Sequence, residues 1–309
     1  AKAEAEERAR AKAETERQIS VKKMLTLFEQ DRKAKGKRNP DWAEEVLNYH
    51  CPEWMALPFV AITKAMLLAK SRELRNGDAT RGVRPRGPQS AGILIKAMRA
   101  LYAFAIKEEL YEGHNIGKKV DLPSESVRTR VLTGAEKAAL LEALDKPEWP
   151  AYVRPLFRFL MLTGARKTNA LTARFDEMDL ASGLWRIPAE KSKAGHVMEV
   201  ILRPEAVEIV KAQREKHPEG QWMFPSDYLE DQPVKDVWHI WRKVVAVAEI
   251  DGLTIHDLRG TYGSDLINNH VSLNVVAKAM GHRNVATTAK HYAHVNAATV
   301  REAALAVAA

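Results

Sequence analysis

Apolar residues recur at spacings of three and four through most of this chain, a period that builds amphipathic helices and little else. Between residues 21 and 110 the segments VKKMLTLFEQDRKAKGK, EEVLNYH, ITKAMLLAKSREL and SAGILIKAMRALYAFAIKEEL each carry such a stripe. They predict a small helical bundle over residues 20–117. Ahead of it, residues 1–19 are rich in Ala, Glu, Lys and Arg with no apolar face, which predicts a solvated helical connector. Residues 118–128 lose all periodicity and read as an interdomain linker. Helical text resumes at TGAEKAALLEAL, where Thr133 and Glu136 form a capping-box pattern, and continues in PLFRFLMLTGA, whose stripe should end at Gly164. One stretch breaks the helical period. In GLWRIPAEKSKAGHVMEVIL, residues 184–189 and 197–202 are strand-like and flank a polar turn bearing Lys191, Lys193 and Gly195, as in a β-hairpin. From Pro204 onward the chain is mostly helical again. The expected fold is mainly α with a small β-sheet: a helical domain, then an α+β domain over residues 129–309. A length of 309 residues agrees with two domains.

The charge is unevenly placed. Residues 21–128 hold 20 basic and 13 acidic side chains, so they supply +7 of the formal +8. Such a concentration is the electrostatic footprint of a protein that neutralises backbone phosphates. Within it lies TRGVRPRGP, where Gly and Pro break regular structure and display Arg81, Arg84 and Arg86 on a loop suited to phosphate or groove contacts. The single cysteine, Cys51, excludes an internal disulfide framework and a cysteine-based zinc cluster, and fits a reducing compartment. No apolar run approaches the ~18–20 residues of a membrane span, which predicts a soluble intracellular protein. Walker A and HExxH patterns are missing, so neither ATP-driven chemistry nor a zincin site has support.

Four short signals occupy the second half: TGARKTNAL, KSKAGHVMEV, HDLRGTYGSDL and MGHRNVATTAKHYAH. Each alone is weak. In this order and at these separations they resemble the tyrosine recombinase (phage integrase) family, over about residues 129–300, with the helical half resembling that family's core-binding domain. By that resemblance Arg166 corresponds to the first arginine, Lys193 to the hairpin lysine, His256 and Arg259 to the His-x-x-Arg pair, His282 to the following histidine and Tyr292 to the nucleophile. Lys191 stands two residues from Lys193 as the alternative. His291 and His294 flank Tyr292, but a His-x-x-His without a third ligand is a poor zinc site.

The chemistry explains why these residue types should converge. Phenolate attack on a phosphodiester piles negative charge on the non-bridging oxygens, and two guanidiniums can clamp them with paired donors where lysine cannot. This is preorganised electrostatic stabilisation. The Tyr292 phenol needs a proton acceptor at neutral pH, for which His256 is the candidate. The departing 5′ hydroxyl needs a proton, for which Lys193 is the candidate general acid. His282 would hydrogen-bond the phosphate.

The resemblance implies a 3′-phosphotyrosyl intermediate, no metal and no other cofactor. It implies a C-shaped clamp on double-stranded DNA attachment sites, a homotetramer on DNA, and accessory DNA-bending or directionality proteins. The expected role is integration or excision of a mobile element, in the cytoplasm and at the nucleoid. A type IB topoisomerase and a catalytically inactive DNA-binding protein of the same fold are the rival readings. Three departures stand out: Asn169 where an acidic residue is usual, Gly260 where a basic one is frequent, and a ten-residue interval from His282 to Tyr292. Loss of the acidic side chain removes a structural partner of the arginine cluster.

Overall fold

A computed structural model describes residues 19–123, 129–192, 195–282 and 284–292. The expected connector at the amino terminus, Lys193, His294 and the side chains of His291 and Tyr292 lie outside the described residues. Two compact units, Ala1–Ser126 and Val127–Ala309, make up the chain.

The first unit is a helical bundle gathered round one long helix. Helices α1 (Val21–Ala34), α2 (Trp42–His50) and α3 (Lys64–Asn76) each pack against α4 (Pro88–Lys107). Pro88 opens α4 at a position where a missing N–H costs nothing. Ten of its residues are buried, from Ala91 to Ala105, which explains why its apolar stripe is so broad. Ser20 caps α1 by accepting from the Lys23 N–H, and Thr63 caps α3 by accepting from the Met66 N–H. Tyr102 stacks on Phe59 at 4.4 Å between centroids and donates its hydroxyl to the Ile62 carbonyl at 3.0 Å, so its one polar atom is satisfied inside the core. Burial pushes the Cys51 thiol up to about 12, which keeps it protonated.

The bundle extends further than periodicity indicates. Ile116–Lys119 form a 3-10 turn, Val120 is buried, and Arg99 donates to the carbonyls of Gly117 (2.8 Å) and Val120. Lys118 and Lys119, expected in the linker, therefore belong to the packed unit. The Arg81–Arg86 loop is pinned rather than loose. Ala79–Arg81 form a 3-10 turn, Asp78 bridges Val83, and the N–H groups of Arg86 and Gly87 both donate to the Leu74 carbonyl. Its arginines differ in consequence. Arg81 donates to Glu73 at 2.8 Å, Arg86 donates to the Tyr49 hydroxyl with its guanidinium 4.5 Å from the ring, and Arg84 is exposed.

The second unit begins with α5 (Gly134–Leu144), where the expected capping box forms: Thr133 accepts from the Glu136 N–H, and Glu136 accepts from the Thr133 N–H. Arg130 also donates to Glu136, and this bond, ahead of the cap, holds the carboxyl down at about 2. Helix α6 (Val153–Thr163) is the hub. Its buried face, including Phe157, Phe159 and Leu160, meets Trp241 on one side and Trp185 on the other.

After the short helix α7 (Lys167–Leu171) come three antiparallel strands, β1 (Met178–Asp179), β2 (Leu184–Ile187) and β3 (Met198–Ile201), in that order across the sheet. The register pairs Trp185 with Val200 and Ile187 with Met198, all four buried, and Arg186 with Glu199, both exposed. This alternation is the period-two signal of the sequence made solid. The expected hairpin is present. The strand β1 that joins it escapes sequence reading because two residues carry no periodicity.

Among the described residues, helices α8 (Pro204–Lys216), α9 (Trp238–Val247), α10 (Ile255–Asn268), α11 (Leu273–Ala279) and α12 (Val285–Tyr292) follow the sheet. Among the described residues no helix is long and apolar enough to cross a membrane. Helix α10 packs along α6; Thr261 ties it to the segment that enters α5, accepting from the Leu132 N–H at 2.9 Å, and a Lys137–Asp265 ion pair ties it to α5 itself. At its start Thr254 is the N-cap and Asp257 the third helical residue of a capping box. The Asp257 carboxylate reaches back to accept from the Thr254 N–H.

Candidate active site

The site is assembled where three helix ends meet. Helix α6 stops at Gly164, whose φ of +60° is a left-handed value that glycine adopts freely. A side chain there would also collide with Tyr262: an added Cβ would sit 2.3 Å from its ring. The chain then turns so that Arg166, in extended conformation, caps α7 instead of ending α6. We expect Gly164→Ala to lower unfolding free energy by about 3 kcal/mol or more, from the left-handed backbone and the clash together. Chemical denaturation measures it; an unchanged midpoint would mean the turn relaxes without cost.

Arg259 lies on the first turns of α10 and is only 4% exposed. It donates to the Gly164 carbonyl at 2.6 Å and to the Met280 carbonyl. Arg166 donates to the next carbonyl along, Gly281, at 3.3 Å and contacts the Met198 sulfur at 4.0 Å. Two guanidiniums thus converge on consecutive carbonyls of one turn. Among the described residues Arg166 meets no carboxylate. Half-buried, it has its pKa drawn below the usual guanidinium value by desolvation. A cation held by neutral dipoles in a partly dry site is an anion receptor. Gly281 closes the turn at φ +59° directly over Met198, whose sulfur would be 1.8 Å from an added Cβ. The hairpin strand β3 therefore backs the arginine cluster.

His282 follows. Its N–H donates to the Ala277 carbonyl at 2.9 Å, and its ring Nδ1 is 2.8 Å from the Thr288 hydroxyl on α12. His256 is exposed on the first turn of α10, one turn before Arg259. Tyr292 is the last residue of α12. Of the six positions singled out from sequence, then, the fold brings Arg166, Arg259 and His282 onto one turn, and places His256 and the backbone of Tyr292 on the helices flanking it. Asn169 is 2% exposed with its amide Nδ2 unpaired among the described residues. The missing acidic side chain leaves an unmatched donor in its place.

Sequence reasoning overlooked several contributors. Gly281 and Met198 act through shape, Met280 through its carbonyl, and Thr288 through a contact six residues back; only the positive-φ glycines had a legible signal. Lys191, expected on the polar turn, closes a 3-10 turn, Ala189–Lys191. Its ammonium donates to Glu177 and to the Thr172 carbonyl at 2.6 Å, while Glu177, 8% exposed, also accepts from the Trp185 indole at 3.0 Å. Lys191→Met should cost about 3 kcal/mol of stability, because it strands a buried carboxylate. Lys191→Met combined with Glu177→Gln should regain much of that in the same unfolding measurement.

A paired-guanidinium anion receptor with a histidine beside it, at the foot of a helix ending in tyrosine, is the kind of site that handles a phosphodiester. The chain belongs to the phage integrase family, whose model it matches over residues 130–299. Tyrosine recombinase XerD of Pseudomonas putida is 27% identical over 225 residues, which cover 70% of this chain and 74% of that protein. Among solved structures, the Tn1549 transposon integrase in complex with transposon right end DNA has a TM-score of 0.68 at 14% identity, covering 93% of this chain and 99% of that one. A lambda integrase tetramer bound to a Holliday junction has a TM-score of 0.65 at 17% identity, covering 87% and 77%. At such identities the likeness to these structures is one of fold.

Proposed function

We propose that this protein is a site-specific DNA recombinase that integrates or excises a mobile element, cutting and rejoining strands through a 3′-phosphotyrosyl intermediate on Tyr292. The observation that carries the reading is the convergence of Arg166 and Arg259 on the Met280–Gly281 turn, beside His282 and below the helix that ends in Tyr292. In this reading the two guanidiniums bind the non-bridging oxygens and hold the charge that grows in the transition state. His282 donates to the same phosphate and His256 takes the phenolic proton. Lys193 delivers a proton to the 5′ oxygen as the P–O bond breaks, and Tyr292 then holds the 3′ phosphate. The bond energy stays in the phosphotyrosine, so a 5′ hydroxyl from another strand can reverse the step without ATP.

The commitment of Lys191 to Glu177 supports Lys193 as the acid. The exposed Arg84 is assigned to phosphate contact, with Arg81 and Arg86 beside it. Double-stranded attachment sites are the substrate, a homotetramer the working assembly, and DNA-bending or directionality proteins the accessory partners.

The test is covalent trapping. Duplexes nicked next to candidate crossover positions lose a short fragment on cleavage and so cannot religate. The expected result is a protein–DNA adduct stable to denaturant, and, with paired intact sites, linked recombinant products. Tight binding with no adduct at any site would overturn the enzymatic reading. Relaxed circles without recombinants would replace recombination with simple DNA relaxation. A 5′-bridging phosphorothiolate, whose sulfur leaves without a proton, should restore cleavage to Lys193→Met; failure of that rescue would remove Lys193 as the acid.

A further inference from the structure

We infer that Thr288 is a positioning residue for strand cleavage: its hydroxyl donates to Nδ1 of His282 and so holds the proton of the neutral ring on Nε2. The inference rests on the reading of His282 as a phosphate-facing donor. It starts from burial. Thr288 is 0% exposed, and a hydroxyl that far from water needs a partner; its oxygen lies 2.8 Å from His282 Nδ1.

Both ends of that bond are fixed. His282 leaves a turn in which the Gly281 N–H donates to the Lys278 carbonyl and its own N–H to that of Ala277, each at 2.9 Å. Asn284 accepts from the Ala286 N–H at 2.8 Å and so caps α12. Thr288 is the fourth helical residue after that cap. The contact runs to that fourth residue from two positions before the cap, one position earlier than in a hydrophobic staple, and like a staple it ties the incoming chain to the first turns of its helix. Here the tie is polar, and the helix it orients carries Tyr292 four residues later.

The direction of the bond matters chemically. The state of one imidazole nitrogen is set by the bond the other makes. With the proton on Nδ1 the ring would donate to Thr288 and turn a lone pair toward the phosphate, whose oxygens have only lone pairs to offer. With Thr288 as donor, Nε2–H becomes a hydrogen-bond donor to those oxygens. A hydroxyl can take either role, so a phosphate at Nε2 makes the donating orientation of Thr288 the favourable one, and only with the hydroxyl present is Nδ1 then left paired.

Two substitutions separate hydroxyl from packing. Thr288→Val keeps the shape and deletes the hydroxyl; Thr288→Ser keeps the hydroxyl and deletes the methyl. In single-turnover adduct formation on nicked duplexes, Thr288→Val should be slower by about 10- to 100-fold and Thr288→Ser by about threefold at most. Nitrogen-15 NMR of the ring should show His282 losing its Nε2–H preference in the valine variant alone. In a His282→Ala background Thr288→Val should cost nothing more. The reverse order, with serine slow and valine fast, would make Thr288 a packing residue and overturn the inference, as would a full further loss in the His282→Ala background. A His282→Ala protein as fast as the parent, with Thr288→Val still slow, would overturn the tautomer role and the reading of His282 beneath it. The recombinase reading would survive through Tyr292.

Discussion

Replacing Tyr292 with phenylalanine should abolish the covalent adduct while leaving DNA affinity within about twofold of the parent, since one hydroxyl is removed from a surface dominated by phosphate contacts. The chemical loss should be on the order of 10⁶ in rate, as when a hydroxyl nucleophile is deleted from a covalent catalyst. Among the described residues no other tyrosine beside the arginine cluster is suited to replace it. Tyr262 is packed on Gly164 beside the arginine cluster, but burial pushes its phenol above the usual tyrosine value, against the pull of Arg203 and Arg259. It stays protonated. The check is denaturing electrophoresis of nicked duplexes after incubation, with peptide mapping of the adduct formed by the parent. An adduct of normal yield from the phenylalanine variant would mean that the nucleophile is another residue.

Arg259→Ala should damage both the fold and the reaction, because one guanidinium serves both. The Gly164 and Met280 carbonyls lose their buried donor, and at about 1–2 kcal/mol each the unfolding free energy should fall by about 2–4 kcal/mol. Cleavage by the protein that remains folded should slow by about 10³-fold, the scale of losing a transition-state donor. Arg259→Lys should recover part of the stability and little of the rate, since an ammonium can reach one carbonyl but not present a planar fork. Denaturant unfolding and single-turnover adduct formation, run on both variants, separate the two effects. A lysine variant with parental rate would mean that charge alone suffices there. An alanine variant of parental stability would mean that the turn at Met280–Gly281 does not depend on its arginine.

The double duty of Arg259 also shows how far one-dimensional reading reaches. The helices of both units, the capping box at Thr133, the end of α6 at Gly164 and the hairpin of Trp185 and Ile187 with Met198 and Val200 all follow from local rules. Periodicity, side-chain capping and backbone preference act over a few residues, so they are written in order along the chain. The ordered motifs likewise made Arg166, Arg259 and His282 recognisable before any geometry was available, and the family match bears out the class. Asn169 was visible as a departure, though not as a buried amide with an unmatched donor.

Contacts between distant segments were not written in that way. Lys191 and Lys193 are two lysines on one turn in the sequence; only the fold commits Lys191, which donates to the Thr172 carbonyl and to Glu177, a buried carboxylate that also accepts from the Trp185 indole. The loop of Arg81, Arg84 and Arg86 read as three equivalent cations, and the fold distinguishes them by what lies within reach: Glu73, solvent and Tyr49. Sequence by itself determined the helices, the hairpin, the class of enzyme and which residues are candidates for its site. Tertiary structure alone decided that Met280 and Gly281 offer the carbonyls on which both arginines meet, and that Thr288 reaches His282. The physical reason is range: a helix is specified by neighbours three and four residues apart, whereas an anion receptor is specified by which carbonyls packing brings to a guanidinium from some 20 to 115 residues away.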